Sequence, residues 1–224
     1  MLVSIHQPMF LQYLGLFRKI AKSDIFVVYN TAQYSKNDWH NRNKILTQNG
    51  PEWLTVPISH HLGDSFLVAK PTNASFVQSH LGIITQNYKT APFFKEIFPK
   101  LKEAYEKPFN NLAEFNWNLM EACIKLLDLK AKIVFSHDLD IAGLHSTEAL
   151  VKICQLVGAD TYLAGMDAGY MKLDQFDTAG IKVIYNDFKA TPYPQKGSEI
   201  FVPNLSVIDA LFNIGPEATR LLIV

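Results

Sequence analysis

Leu2-Val3-Ser4-Ile5-His6-Gln7-Pro8 opens the chain as a short apolar run that stops at a histidine, and Ile25-Phe26-Val27-Val28-Tyr29 repeats the pattern one helix-length later. Between them Phe10, Leu11, Leu14, Phe17 and Ile20 fall at the spacing of one helix face. Ser23-Asp24 ends that periodicity. Strand, helix and strand in so short a span make a βαβ unit. The second apolar run is continuous rather than alternating, which predicts burial on both faces, as in a parallel sheet. The fold class that follows is α/β, with a mainly parallel sheet and helices on both faces.

Working outward, Lys44–Leu46 and Trp53–Ile58 read as two strands joined by a turn at Asn49-Gly50. A helical region covers about Ser75–Leu129, interrupted at Pro92, Pro99 and Pro108. In its last helix, Leu112–Leu127, the residues Leu112, Phe115, Leu119, Cys123, Leu126 and Leu127 share a face. Lys132–Phe135, Thr161–Ala164 and Lys182–Tyr185 return to strand. Thr147–Val157 reads as a helix with Ser146 as N-cap and Gly158 as its stop. Ser206 starts another that runs through Phe212. No repeat or flexible linker divides the chain. The expectation is a single α/β domain over residues 1–224 with a mostly helical insertion at about 75–130.

Of the 224 residues, 48% are hydrophobic and 19% charged, which is enough apolar side chain for a real core. Lys+Arg and Asp+Glu are both 21, and that balance argues against non-specific binding of nucleic acid or an anionic membrane. There is no basic segment leading into an apolar run at the start, and no stretch approaches the ~20 apolar residues of a membrane helix. A cytoplasmic protein with no membrane span is expected. Cys123 and Cys154 form neither a disulfide framework nor a metal-ligand spacing, and sit in helix-like apolar surroundings as buried thiols. His60-His61 also lacks metal-site spacing, so no metal signature is present. Ser136-His137-Asp138 has the residue types of a hydrolase triad. Adjacent residues in a strand-end turn do not converge, and there is no Gly-x-Ser-x-Gly elbow.

In an open parallel sheet, ligands bind outside the carboxyl ends of the strands. His6 and Gln7 follow the first strand and Tyr34–Asn43 follows the second. Ser136-His137-Asp138 follows the third, and Gly165-Met166-Asp167 the fourth. Four polar clusters therefore fall on one predicted edge. Tyr34-Ser35-Lys36-Asn37-Asp38-Trp39-His40-Asn41-Arg42-Asn43 offers an acid, an imidazole, a guanidinium, a phenol and three amides, a set suited to holding a polar ligand. His6 is a candidate general base or anion donor, or else a histidine satisfied by backbone in a tight turn. Asp38 and His40 are a candidate acid–base pair, with a loop scaffold as the alternative for Asp38. Arg42 can grip a carboxylate or phosphate through its planar fork, or pair with Asp38. Gln7, Tyr34, Asn41 and Asn43 are candidate partners for ligand hydroxyls. Asp167 and Tyr170 follow a strand beside Gly165 and Gly169, where a ligand could approach backbone N–H groups. Tyr193 and Gln195, in the Pro-rich segment Pro192–Pro203, either close the site or belong to a rigid folded tail.

Several segments together resemble the WbqC-like family of bacterial proteins. They are Ile5-His6-Gln7-Pro8, Tyr13-Leu14-Gly15 with Phe17, Lys19 and Ile20, Gln33-Tyr34-Ser35-Lys36 with Trp39, and Asn41-Arg42-Asn43. Gly50-Pro51 to Pro57, Tyr193-Pro194-Gln195 and Pro203-Asn204-Leu205-Ser206 with Asp209 extend the likeness over nearly the whole chain. The resemblance implies a setting in surface-polysaccharide (O-antigen) biosynthesis. The implied activity is transfer of an acyl or aminoacyl group to a nucleotide-linked amino sugar, with a nucleotide sugar as partner. A weaker resemblance is to the nucleotidyltransferase-like fold that includes pantothenate synthetases, in which the first strand also ends in a His-containing turn. It implies ATP as a cofactor and ligase chemistry. This chain lacks the second histidine two residues past a glycine that marks the phosphate-binding turn of those enzymes. A non-catalytic sugar-binding or assembly protein is the third expectation.

Overall fold

The computed structural model describes residues 1–166, 169 and 171–224. The chain runs β1 (Leu2–His6), α1 (Leu14–Lys22), β2 (Ile25–Val28), a hairpin of β3 (Arg42–Thr47) and β4 (Gly50–Thr55), and a short pair β5 (Ile58–Ser59) and β6 (Lys70–Pro71). Three helices follow, α2 (Ser75–Tyr88), α3 (Phe94–Glu106) and α4 (Leu112–Leu126). The remainder is β7 (Lys132–Phe135), α5 (Ser146–Leu156), β8 (Thr161–Ala164), α6 (Leu173–Thr178), β9 (Lys182–Tyr185) and α7 (Val207–Leu221).

Five strands form one sheet in the order β7-β2-β1-β8-β9, and every neighbouring pair is parallel. The chain thus builds outward from β1 in one direction through β2 and β7, then returns to the other side of β1 with β8. The direction reverses between β1 and β8. The two loops leaving those strands part there and open a crevice, the switch point at which α/β sheets take their ligands. The architecture is consistent with a nucleotidyltransferase-like α/β fold.

The continuous apolar run of β2 has the meaning expected of it. Ile25 and Val27 join Val3 and Ile5 in a core closed by Leu150, Ile153 and Cys154 of α5 and Phe176 of α6. Phe26 and Val28 face the other way, onto Leu16, Phe17 and Ile20 of α1 and Leu211 and Phe212 of α7. Leu81, Ile97 and Leu119 carry that second core into α2, α3 and α4. α4 starts where a cap predicts it: Asn111 accepts from the Glu114 amide at 2.9 Å, and Glu114 bonds back to Asn110 and Asn111.

Four local expectations are corrected. The two-residue hairpin loop is Gln48-Asn49, one position earlier than expected, because Gly50 is the first residue of β4 and takes the positive φ, 98°. Pro99 lies inside α3 rather than breaking it; the cost is one backbone donor. Ser146 is the first residue of α5, and His145 holds the cap position. α7 runs well past Phe212, through a kink at Gly215-Pro216. Gly215 has φ 78°, and a Cβ there would lie 2.6 Å from the Phe93 ring, so the kink packs directly on that ring. Among the described residues no helix is long and apolar enough to cross a membrane.

Candidate functional site

A cleft of about 1230 Å³ opens at the carboxyl edge of the sheet. His6 and Gln7 line it from the end of β1, Tyr29 and Thr31 from β2, Ser136 and His137 from β7. Gly165 and Met166 line it from β8, and Asn186 and Phe188 from β9. All five strands therefore contribute their carboxyl ends, as the strand-edge rule requires.

The loop leaving β1 and the loop ahead of β3 meet over this cleft because α4 ties them together. Asn116, fully buried in α4, donates to the Pro8 carbonyl at 2.6 Å and to the His40 carbonyl at 2.8 Å. The Phe10 amide donates to the Trp39 carbonyl at 3.2 Å. Asn43 completes the arrangement, donating to the Leu11 carbonyl at 2.6 Å where that residue takes φ 40°. A turn with non-glycine positive φ is held by side chains that satisfy its carbonyls.

Two histidines in the cleft are fixed in opposite tautomers. His6 Nδ1 lies 3.1 Å from the Gln7 carbonyl oxygen, which can only accept. The proton therefore sits on Nδ1, and Nε2 keeps its lone pair. For His40 the backbone amide of Ser35 donates to Nδ1 at 2.9 Å, so the proton sits on Nε2. That Nε2 is 3.9 Å from Asp38 Oδ2, an ion-pair contact longer than a hydrogen bond. Burial, helped by the Lys19 ammonium, lowers His6 to about 3. Burial also lowers His40, with Asp38 opposing the shift. Both rings are thus neutral near pH 7, one an acceptor and the other a donor. The His40 ring packs against Phe66, with centroids 4.6 Å apart, which holds it in place.

The polar run Tyr34–Asn43 divides. Asp38, Trp39 and His40 line the cleft. Tyr34 is buried in the core against His40, His60 and Phe66, and its burial raises the phenol to about 12. Asn41 donates to the Val56 carbonyl at 2.8 Å, tying the loop to the end of the hairpin. Arg42 lies on β3 with its guanidinium 4.4 Å from the centre of the Trp53 ring and donates to the Asn37 carbonyl. Tyr34, Asn41, Arg42 and Asn43 do not line the cleft. Nor do Tyr193 and Gln195, which both bond to Asp209 of α7. Asp167 and Tyr170 lie outside the described residues.

Several cleft residues went unnoticed in the sequence. Lys19 of α1 lines the cleft, and so do Gln12, Thr31, His145 and Asn186. Asn186 is held by its own bonds, donating to the Gly15 carbonyl at 2.9 Å and accepting from Arg18 at 3.1 Å. Ser136 accepts from the Thr31 amide at 3.1 Å and donates to Asn30, whose amide group lies 2.7 Å from His137 Nδ1. Lys19 left no clear sign: Gly15 and Leu16, one turn before it on α1, are uncharged, but Lys22, three residues on, is charged and exposed. Among the described residues no cluster of three or more His, Cys, Asp or Glu could hold a metal.

Comparison with known proteins places these residues in a wider group. The model of the WbqC-like protein family matches residues 7–221. A Mycobacterium tuberculosis protein described as the uncharacterized protein Rv1507c is 33% identical over 224 residues, an alignment covering 96% of this chain and 95% of that one. No solved structure matches the chain.

Proposed function

The chain belongs to the WbqC-like protein family, and on that footing we propose that it is an enzyme of bacterial surface-polysaccharide biosynthesis that moves an acyl or aminoacyl group onto the amine of a nucleotide-linked amino sugar. The observation that carries this reading is the pair of neutral histidines in one cleft, His6 with a free acceptor and His40 with a free donor. Acyl transfer to an amine needs both. As nitrogen attacks the carbonyl carbon, the amine must lose a proton and the carbonyl oxygen gathers negative charge. His6 Nε2 takes the proton and returns it to the departing group as the tetrahedral intermediate collapses. His40 Nε2–H donates to the developing oxyanion, and Asp38 nearby favours any positive charge the ring acquires. Gln7, Gln12, Thr31 and Asn186 supply donors and acceptors for sugar hydroxyls along the same wall. A cleft at the β1/β8 switch point is also where this class of sheet accommodates a nucleotide.

The test is mass spectrometry of nucleoside-diphosphate amino sugars incubated with the protein and acyl or aminoacyl thioesters, with and without Mg-ATP. The expected product is the sugar nucleotide heavier by one acyl group, formed without ATP. His6→Gln should slow it by about 10²–10⁴-fold while the melting temperature stays near that of the unaltered protein. Product that forms only with Mg-ATP would move the protein to the ligases. Saturable binding of the sugar nucleotide by calorimetry, with no product from any donor, would make it a binding protein.

A further inference from the structure

Lys19 is 4% exposed, yet it lines the cleft. Its ammonium donates to the Ile5 carbonyl at 3.1 Å, which uses one of three N–H donors. Among the described residues no carboxylate lies within ion-pair distance of it. Its neighbour on α1, Arg18, is by contrast paired with Asp187 at 2.7 Å. Burying an ammonium without a counter-ion is costly, and a fold that needed only a donor for the Ile5 carbonyl would be served by a neutral one.

We propose that Lys19 anchors an anionic group of the ligand, a phosphate or a carboxylate, at the switch point between β1 and β8. This deepens the sugar-nucleotide reading and rests on it for the identity of the whole ligand, while the anion site itself stands on Lys19. Among the described residues the other charged or titratable groups lining the cleft are His6 and Tyr162 from β1 and β8, Tyr13 just ahead of α1, Tyr29 just after β2, Asp38 and His40 from the loop ahead of β3, and His137 and His145 from the segment between β7 and α5. Burial lowers Lys19 to about 7, so an anion must both find the ammonium and keep it protonated. The Lys19 charge is also one of the causes that hold His6 down. An anion seated on Lys19 cancels that charge and makes His6 a better base. Ligand binding and proton abstraction are then coupled through one lysine.

The probes are inorganic pyrophosphate, glucuronate and sulfate, titrated into the full chain by calorimetry and followed by thermal unfolding. Pyrophosphate should bind saturably and raise the melting temperature. Lys19→Met should fold, match or exceed the unaltered protein in thermal stability without anion, and bind pyrophosphate at least tenfold more weakly. Glucuronate in place of pyrophosphate as the tighter probe would assign the anchor to a sugar carboxylate rather than a phosphoryl group. Sulfate keeps its charge from about pH 6 to about pH 9, so its affinity should fall across neutrality as Lys19 deprotonates, and the fall should be absent in Lys19→Met. Should Lys19→Met not fold, Lys19→Gln and the sulfate profile of the unaltered protein carry the test. A lysine that only braces the Ile5 carbonyl predicts the reverse: a lower melting temperature in Lys19→Met and unchanged anion affinity. That result, or a protein indifferent to all three anions, overturns the proposal. Failure of acyl transfer with anion binding intact would instead count against the reaction alone.

Discussion

Around Asp209 three side chains converge on one carboxylate, whereas around Lys19 a buried ammonium meets a single carbonyl. Tyr88 donates to Asp209 Oδ1 at 2.8 Å, and Tyr193 and Gln195 to Oδ2 at 2.8 and 2.9 Å. Tyr88 in turn accepts from the Leu46 amide at 2.9 Å. This knot joins α2, β3, the Pro-rich segment and α7 around Asp209, which has no exposure. Burial pushes the Asp209 carboxyl upward, and the bonds from Tyr193, Tyr88 and Gln195 oppose that shift without cancelling it. The cleft uses the same kinds of group but leaves a lone pair on His6 and two donors on Lys19 without a hydrogen-bond partner among the described residues, and the His40 N–H faces Asp38 only at 3.9 Å, beyond hydrogen-bond distance. A buried cluster that closes on itself holds the fold together. One left open is available to a ligand.

The largest effect expected from this contrast is at the closed knot. Asp209→Ala strands two phenol hydroxyls and an amide, and should cost about 3–5 kcal/mol in urea unfolding. In a chain of this size that lowers the melting temperature by about 10 °C. Pyrophosphate affinity measured well below the transition should stay within twofold. A stable Asp209→Ala protein that has lost anion binding would place Tyr193 and Gln195 in the ligand's reach and break the division.

Acid sharpens the same comparison next. His6 in the cleft is lowered to about 3 and His80 in the core to about 4, each chiefly by burial. Both are neutral in the fold and would bind a proton near pH 6.5 once unfolded, so the unfolded state holds more protons below that point. Stability contributed by these rings is present above about pH 6.5 and is lost as pH falls toward 4, with a limiting slope of about 2.7 kcal/mol per pH unit for two groups. Urea midpoints from pH 7 to 4.5 measure it. The two rings should separate on adding pyrophosphate. An anion on Lys19 cancels the smaller cause of the shift, so His6 rises and its share of the slope ends at a higher pH, while burial still keeps the ring below its ordinary value. His80, whose Nε2 donates to the Thr55 carbonyl at 3.1 Å, keeps its own.

The fold was readable because burial on two faces leaves a mark in sequence. A run such as Ile25-Phe26-Val27-Val28 has no other use for four apolar side chains in a row. The location of the cleft was readable for the same reason: once the strands are found, their carboxyl ends follow. The allocation of individual side chains was not. Asn41 and Asn43 have the composition of ligand-binding residues, but satisfying the Val56 and Leu11 carbonyls inside a turn calls for the same amide group. Composition cannot distinguish a carbonyl of the chain from one of a ligand. Arg42 and Asn43 moreover belong to β3, so the polar run ends in a strand whose register turns its side chains by the pairing with β4. Asn116, which joins the two loops over the cleft, lies a whole helical region away in sequence and left no local sign.

Arg42 gives the smallest effect and separates two readings most directly. As an anion clamp it would carry much of the ligand's affinity, and its loss would weaken binding at least tenfold. Its position argues for a different job. Its guanidinium lies over Trp53 and donates to the Asn37 carbonyl, so it braces the outer face of the hairpin and the turn that presents Asp38. Lys44 shares the Trp53 ring at 4.9 Å, which leaves a cation there if Arg42 is removed. Arg42→Ala should therefore cost about 0.5–1 kcal/mol of stability and change pyrophosphate affinity less than threefold. Lys19→Met measured beside it should show the opposite balance, with affinity lost and stability kept. If Arg42→Ala abolished anion binding and Lys19→Met did not, the open cluster would have to be sought on the hairpin, and the cleft at the switch point would lose its claim to be the working site.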